Sequence, residues 1–171
     1  MQRKSLVSLL GLIVAMLATH TATVFGGDLK PYKGWILFAP ETGPDGASYS
    51  VRHDNIGGIG LRRAVTVGEP VFEFGPGTVT MITQEEGVIT YPNGDQIWDE
   101  ATIVMVFDYS FFLLGGRVDA SIVGGTGRFD GAYGWAWIDV TFDPPLDLEN
   151  TEPFRMPVQG VISTVGLLKR K

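Results

Sequence analysis

The sequence predicts an all-β fold, and three observations carry that reading. After Gly27, no window of eleven residues keeps a helical apolar period. In its place are short alternating or apolar runs, punctuated by glycine, proline, asparagine and aspartate. These runs recur about every 8 to 12 residues, giving about eight to ten short strands, the spacing of a closed barrel or a sandwich. Sequential hairpins favour the barrel, because up-and-down closure needs only short links and leaves no exposed strand edge.

Tyr32 to Ala39 is the first expected strand, closed by Pro40. Thr42-Gly43-Pro44-Asp45-Gly46 has turn chemistry, Ser48 to Arg52 reads as a short strand, and Asn55 to Gly60 contributes three more glycines. Leu61 to Val67 alternates. Val71 to Phe74 and Thr78 to Thr83 flank Gly75-Pro76-Gly77, where proline has no N–H to give a ladder. Gly87 to Tyr91 runs into Pro92-Asn93-Gly94-Asp95, and Asn-Gly is a strong hairpin signal. The returning strand is Gln96 to Phe107. Leu114-Gly115-Gly116 turns into Arg117 to Val123, a glycine-rich corner follows, and then comes Tyr133 to Phe142. Pro144 and Pro145 with Asp147 and Glu149 make an acidic loop, and Val158 to Leu168 is the last strand.

The chain opens with basic Met1-Gln2-Arg3-Lys4, an apolar run from Leu6 to Leu17, and then small and polar residues. That layout predicts a cleavable signal peptide over residues 1–26 and a single domain over 27–171, hence a secreted or periplasmic protein. The run is short for a bilayer span, so no stable membrane insertion is expected after cleavage. The alternative is an N-terminal membrane anchor, formed if a tilted helix recruits Ala18 to Phe25. The chain has no cysteine, and a domain of this length buries roughly 70% of its unfolded surface, so it needs no covalent staple. The formal charge of −6, with no basic stripe, argues against nucleic acid as a partner.

No cofactor is expected. Gly125-Thr126-Gly127 begins like a dinucleotide loop, but Asp130 stands where the third glycine belongs and a strand follows. His53 is the single histidine outside the signal, so with no cysteine the nitrogen and sulfur ligands of zinc are missing. There is no G-x-S-x-G elbow for a serine nucleophile, and Asp143, Asp147 and Glu149 do not have calcium-loop spacing.

Gly87-x-Ile89-Thr90-x-x-Asn93-Gly94-Asp95-Gln96-Ile97, followed by Ile122-Val123-Gly124-Gly125-Thr126-Gly127-Arg128-Phe129-Asp130-Gly131-Ala132-x-Gly134, resembles the allene oxide cyclase and dirigent barrel superfamily, in particular its small secreted bacterial members. The resemblance spans Gly87 to Phe142. It implies an eight-stranded antiparallel β-barrel, often trimeric, whose lumen binds a hydrophobic small molecule, with cyclase-like or dirigent-like activity. The family's catalytic side chains are not carried over, because the strands that would supply several of them lie in the N-terminal half, outside the resemblance. The glycine segment itself reads as structural, with Phe129 capping the apolar end of the barrel and Arg128 either pairing with a carboxylate such as Asp130 or facing solvent.

Strand parity supplies the remaining site candidates, since alternate side chains face opposite sides. Tyr133, Trp135, Trp137 and Asp139 share one face, Arg117, Asp119 and Ser121 another, and Trp98, Glu100 and Thr102 a third. If these faces point inward, Trp98, Tyr133, Trp135 and Trp137 line a ligand pocket, with Glu100 or Asp139 as a general acid and Arg117 as a carboxylate holder. If they point outward, aliphatic side chains fill the barrel and the tryptophans meet an oligomer partner. A one-residue register shift exchanges the two arrangements. Two functions follow: a cofactor-free barrel that binds an apolar molecule, or a non-catalytic extracytoplasmic scaffold.

Overall fold

The computed structural model describes residues 28–38, 42–149 and 151–164. Eight strands close into an antiparallel barrel in sequence order: β1 (Lys30–Phe38), β2 (Ser48–Asp54), β3 (Gly58–Gly75), β4 (Thr78–Thr90), β5 (Gln96–Asp108), β6 (Leu113–Gly125), β7 (Tyr133–Leu146) and β8 (Phe154–Ser163). Closure comes from β1 pairing with β8 along its whole length, from Lys30 opposite Ile162 to Phe38 opposite Phe154. The all-β barrel expected from the sequence is the observed fold. The predicted signal over residues 1–26 and the end of the last expected strand lie outside the described residues.

The strand count settles at eight because two expected breaks are not ends. Leu61–Val67 and Val71–Phe74 are one strand, β3, whose register shifts between Val67 and Val71 around Gly68-Glu69-Pro70. Proline cannot join the ladder, so the chain bulges past it and resumes pairing. Thr78–Thr83 and Gly87–Tyr91 likewise join as β4, apart from Tyr91, which begins the next turn. Gly75-Pro76-Gly77 makes the β3–β4 hairpin and Asn93-Gly94 the β4–β5 hairpin, each with its glycine at positive φ, 79° at Gly77 and 84° at Gly94. β7 runs on past Phe142 through both prolines to Leu146, and β8 begins at Phe154, earlier than its apolar run suggests.

Alternation sends Tyr32, Ile89, Ile97, Ile122, Ala136, Ile138, Val158 and Ile162 into the barrel, where they form one buried cluster. This cluster fills one half of the barrel, and the glycine corner closes it. Phe129, completely buried, sits on a short 3-10 turn at Gly127–Phe129 and packs 5.2 Å from the Tyr91 ring. Close approach is what the glycines permit. A Cβ on Gly125 would lie 2.3 Å from the Gln96 carbonyl oxygen, and one on Gly127, at φ 61°, would lie 1.8 Å from Asp95 Oδ1. Arg128 pairs with Asp95 rather than Asp130, its Nε 3.2 Å from Asp95 Oδ2 without hydrogen-bond alignment. Its guanidinium also covers the Phe129 ring at 4.8 Å.

Candidate functional site

The polar and aromatic faces singled out by parity point outward, which corrects the inward arrangement. In the β6–β7 register Arg117 lies opposite Asp139, Asp119 opposite Trp137 and Ser121 opposite Trp135, while Ala120, Ala136 and Ile138 between them turn inside. Glu100, Asp139 and Arg117 are exposed, and Trp98 and Trp135 are 40% and 46% exposed. The small residues go in because the narrow packed half leaves room for Ala136 and Ile138 but not for indoles. Without burial, Glu100 and Asp139 lack the low-dielectric surroundings the general-acid role requires. Glu100, Arg117, Trp135 and Trp137 do come together with Gln84 and Asp119, but around an open outer groove of about 560 Å³. Trp98, Tyr133 and Asp139 are not among its lining residues. Arg117 is committed there to Asp119, Nε to Oδ2 at 2.6 Å and a second nitrogen to Oδ1 at 2.7 Å. His53 is also outside, stacked on Trp35 with ring centres 5.6 Å apart.

The interior of the other half is hollow. A cavity of about 250 Å³ lies between the packed cluster and the mouth, walled by Ile36, Ile103, Met105, Val140 and Met156 among others. That volume is just below the usual range of ligand-binding cavities, and an eight-stranded barrel is wide enough to hold one small molecule. At the rim, Phe154 packs against Phe38 at 5.2 Å and edge-on against Phe142 at 5.5 Å. Thr42, Ser48 and Tyr49 complete the rim. Asp45 braces the rim loop from outside, accepting from the Tyr49 hydroxyl at 2.8 Å and from Arg63 at 2.9 Å and 3.1 Å. Those bonds, the Tyr49 hydroxyl first, lower the Asp45 carboxyl to about 2.

The floor of the cavity is charged. Arg62, Glu85, Asp99 and Arg52 all reach it, and Arg52, Arg62 and Asp99 are each less than a tenth exposed. Arg62 is fully engaged: it donates to Asp99 through Nη2 at 2.7 Å and through Nε at 3.2 Å, and to Glu85 through Nη1 at 2.9 Å. Burial works against this cation, but the Asp99 and Glu85 carboxylates more than offset it and raise the guanidinium above its ordinary value. The pair spans an intervening strand. Ala64 of β3 lies opposite Gly87 of β4, which lies opposite Asp99 of β5. A Cβ on Gly87 would come within 2.6 Å of Asp99 Oδ1 and 2.7 Å of an Arg62 nitrogen, so the ion pair passes over a glycine window.

Arg52 differs. It makes no side-chain hydrogen bond or ion pair among the described residues, its Nε is buried without a partner, and its guanidinium rests 4.9 Å from the Tyr32 ring centre. Beneath it, Asp54 accepts from the Tyr32 hydroxyl at 3.3 Å, from the Tyr91 hydroxyl, and from the backbone N–H groups of Ile56 and Gly57. Burial, then neighbouring charges, pushes both phenols well above their ordinary range, so they stay protonated as donors to Asp54. Chemically, the floor offers a fixed cation with free donors beside a set of saturated carboxylates.

Sequence reasoning did not single out Arg52, Asp54, Arg62, Glu85, Asp99, Tyr32 or Tyr91. One signal was present: in β2 the residues that share the inward face, Ser48, Ser50, Arg52 and Asp54, are all polar, while the outward face carries Tyr49, Val51 and His53. Such inverted alternation marks a strand whose polar side chains serve an interior site. No protein-family model matches this chain, and no curated protein or solved structure matches it either. Among the described residues, no group of three histidine, cysteine or acidic side chains gathers in a metal-binding cluster.

Proposed function

We propose that this protein binds a small apolar molecule in the hollow half of its barrel. The observation that supports the reading is the 250 Å³ cavity, with aliphatic and methionine walls and a few buried polar groups converging on its floor. Apolar walls supply affinity and a few fixed polar groups supply orientation, which is the usual division in small-molecule sites. The likeness of Gly87 to Phe142 to allene oxide cyclases and dirigent proteins extends the proposal to cyclase-like or dirigent-like chemistry without a cofactor, in a secreted protein, and it brings a homotrimer with it. No residue is assigned a catalytic role in that extension. The test is native mass spectrometry of purified protein, followed by organic extraction and a thermal-shift screen of small apolar compounds. A bound or stabilising compound displaced by Met105→Trp, which fills the cavity, bears the proposal out; a compound bound equally by that variant sinks it.

A second reading, a non-catalytic extracytoplasmic scaffold, has its own support. The outer face of β3 carries Ile59, Leu61, Val65 and Val67, each between 39% and 57% exposed. Rows of apolar side chains of that kind mark interaction surfaces. Light scattering separates a monomer from an oligomer built on this row, and Leu61→Lys breaks up such an oligomer.

A further inference from the structure

The cavity floor holds a donor with nothing to donate to. Arg52 is 5% exposed, lines the cavity, and has a buried Nε without a partner. A guanidinium carries five N–H donors and no acceptor, so only an acceptor atom can satisfy it. Leaving a buried donor unpaired is costly, and an acceptor that reaches the guanidinium from the cavity offsets that cost.

Which oxygen follows from the charges around it. Arg62 is used up by Asp99 and Glu85. Asp54 sits two residues from Arg52 on the same inward face of β2, saturated by two phenols and two backbone N–H groups. Around the floor stand three carboxylates, Glu85 and Asp99 in the cavity wall and Asp54 beneath Arg52, against two buried guanidinium groups, Arg52 and Arg62, while Arg117 is held by Asp119 on the outer face. A ligand carboxylate would be a fourth anion in a water-poor enclosure, where like charges repel strongly. A neutral carbonyl oxygen accepts the same hydrogen bond without adding charge.

We infer that the ligand is a neutral carbonyl compound, a ketone, aldehyde or ester, whose oxygen accepts from the Arg52 guanidinium while its hydrocarbon part fills the aliphatic wall. This rests on the apolar-ligand reading above and narrows it.

Three compounds of nearly equal shape test it: cyclohexyl methyl ketone, isopropylcyclohexane and cyclohexanecarboxylate, titrated into the full chain by calorimetry, the hydrocarbon in competition with the ketone. The expected result is that the ketone binds about tenfold or more tighter than the hydrocarbon, as a hydrogen bond to a charged donor gives, and tighter than the carboxylate. The Arg52→Met variant should lose the ketone's advantage over the hydrocarbon. In the wild-type protein the ketone, and not the hydrocarbon, should shift the Arg52 Nε–H resonance, a readout independent of whether the variant folds. Equal binding of ketone and hydrocarbon, or tighter binding of the carboxylate, overturns the inference and leaves the cavity reading standing. Binding of none of the three overturns the cavity reading and this inference with it.

Discussion

Tyr91 shows how a single side chain ties the packed half of the barrel to its polar floor. Its ring packs on Phe129 in the glycine corner and its hydroxyl donates to Asp54. Tyr91→Phe keeps the packing and removes one donor from a buried carboxylate. The expected loss is about 1.5–3 kcal/mol of stability, the range for hydrogen bonds to charged groups, read from urea midpoints. The same phenol, with Tyr32, sets the alkaline limit. A folded-state value above the unfolded one contributes stability that is present below about pH 10 and is lost as pH rises beyond it, because only the unfolded chain releases the proton. Urea midpoints should fall from about pH 10 upward, and Tyr91→Phe should flatten that fall.

At the level of the strands, the charged floor depends on the absence of a side chain on β4. Gly87→Ala places a methyl group between Arg62 and Asp99, at distances no real contact tolerates. It should destabilise by roughly 1–3 kcal/mol, the range for overpacking a closed interior, and Arg62→Met in that background should cost less than it does alone. Double-mutant denaturation measures both. The rim loop rests on a second ionic contact with a different pH signature. The Asp45 carboxyl, lowered to about 2 by Tyr49 first and Arg63 next, contributes order above its ordinary value of 3.8 that fades as pH falls through about 2. A carboxyl NMR titration should place its midpoint near 2, and Tyr49→Phe should move it toward 3.8. Turn and glycine signals made these strands legible: Asn93-Gly94, Pro76-Gly77 and the Gly124–Gly134 corner fall where the chain reverses. The bulge at Gly68-Glu69-Pro70 was less legible, since proline breaks a ladder locally without showing whether the strand resumes.

The whole barrel divides into a packed half and a hollow half, and a ligand in the hollow half should stabilise the fold as a unit. At a free concentration about 100 times its dissociation constant, a ligand that binds only the folded state adds about 2.7 kcal/mol. For a domain of this size that is a rise in melting temperature of roughly 5–10 °C. Differential scanning calorimetry with increasing ligand checks it, and a melting temperature indifferent to saturating ligand contradicts lumen binding.

By itself the sequence determined the all-β class, most strand positions, the hairpin turns and the structural role of the glycine corner, because these depend on local backbone preferences and on period-two alternation. Only the tertiary structure decided which face of each strand looks inward. Alternation says that Trp135, Trp137 and Asp139 travel together; it does not say whether they enter the barrel, because both faces of β7 could be buried by a different closure. Closure settled it, by setting Ala120 beside Ala136 and Val118 beside Ile138 across the β6–β7 pairing. The same closure assembled the floor, bringing Arg52 of β2, Arg62 of β3, Glu85 of β4 and Asp99 of β5 to one cavity from four strands. No spacing along the chain encodes that meeting, since it depends on the registers of three successive strand pairs and on a glycine where a side chain would have stood in the way.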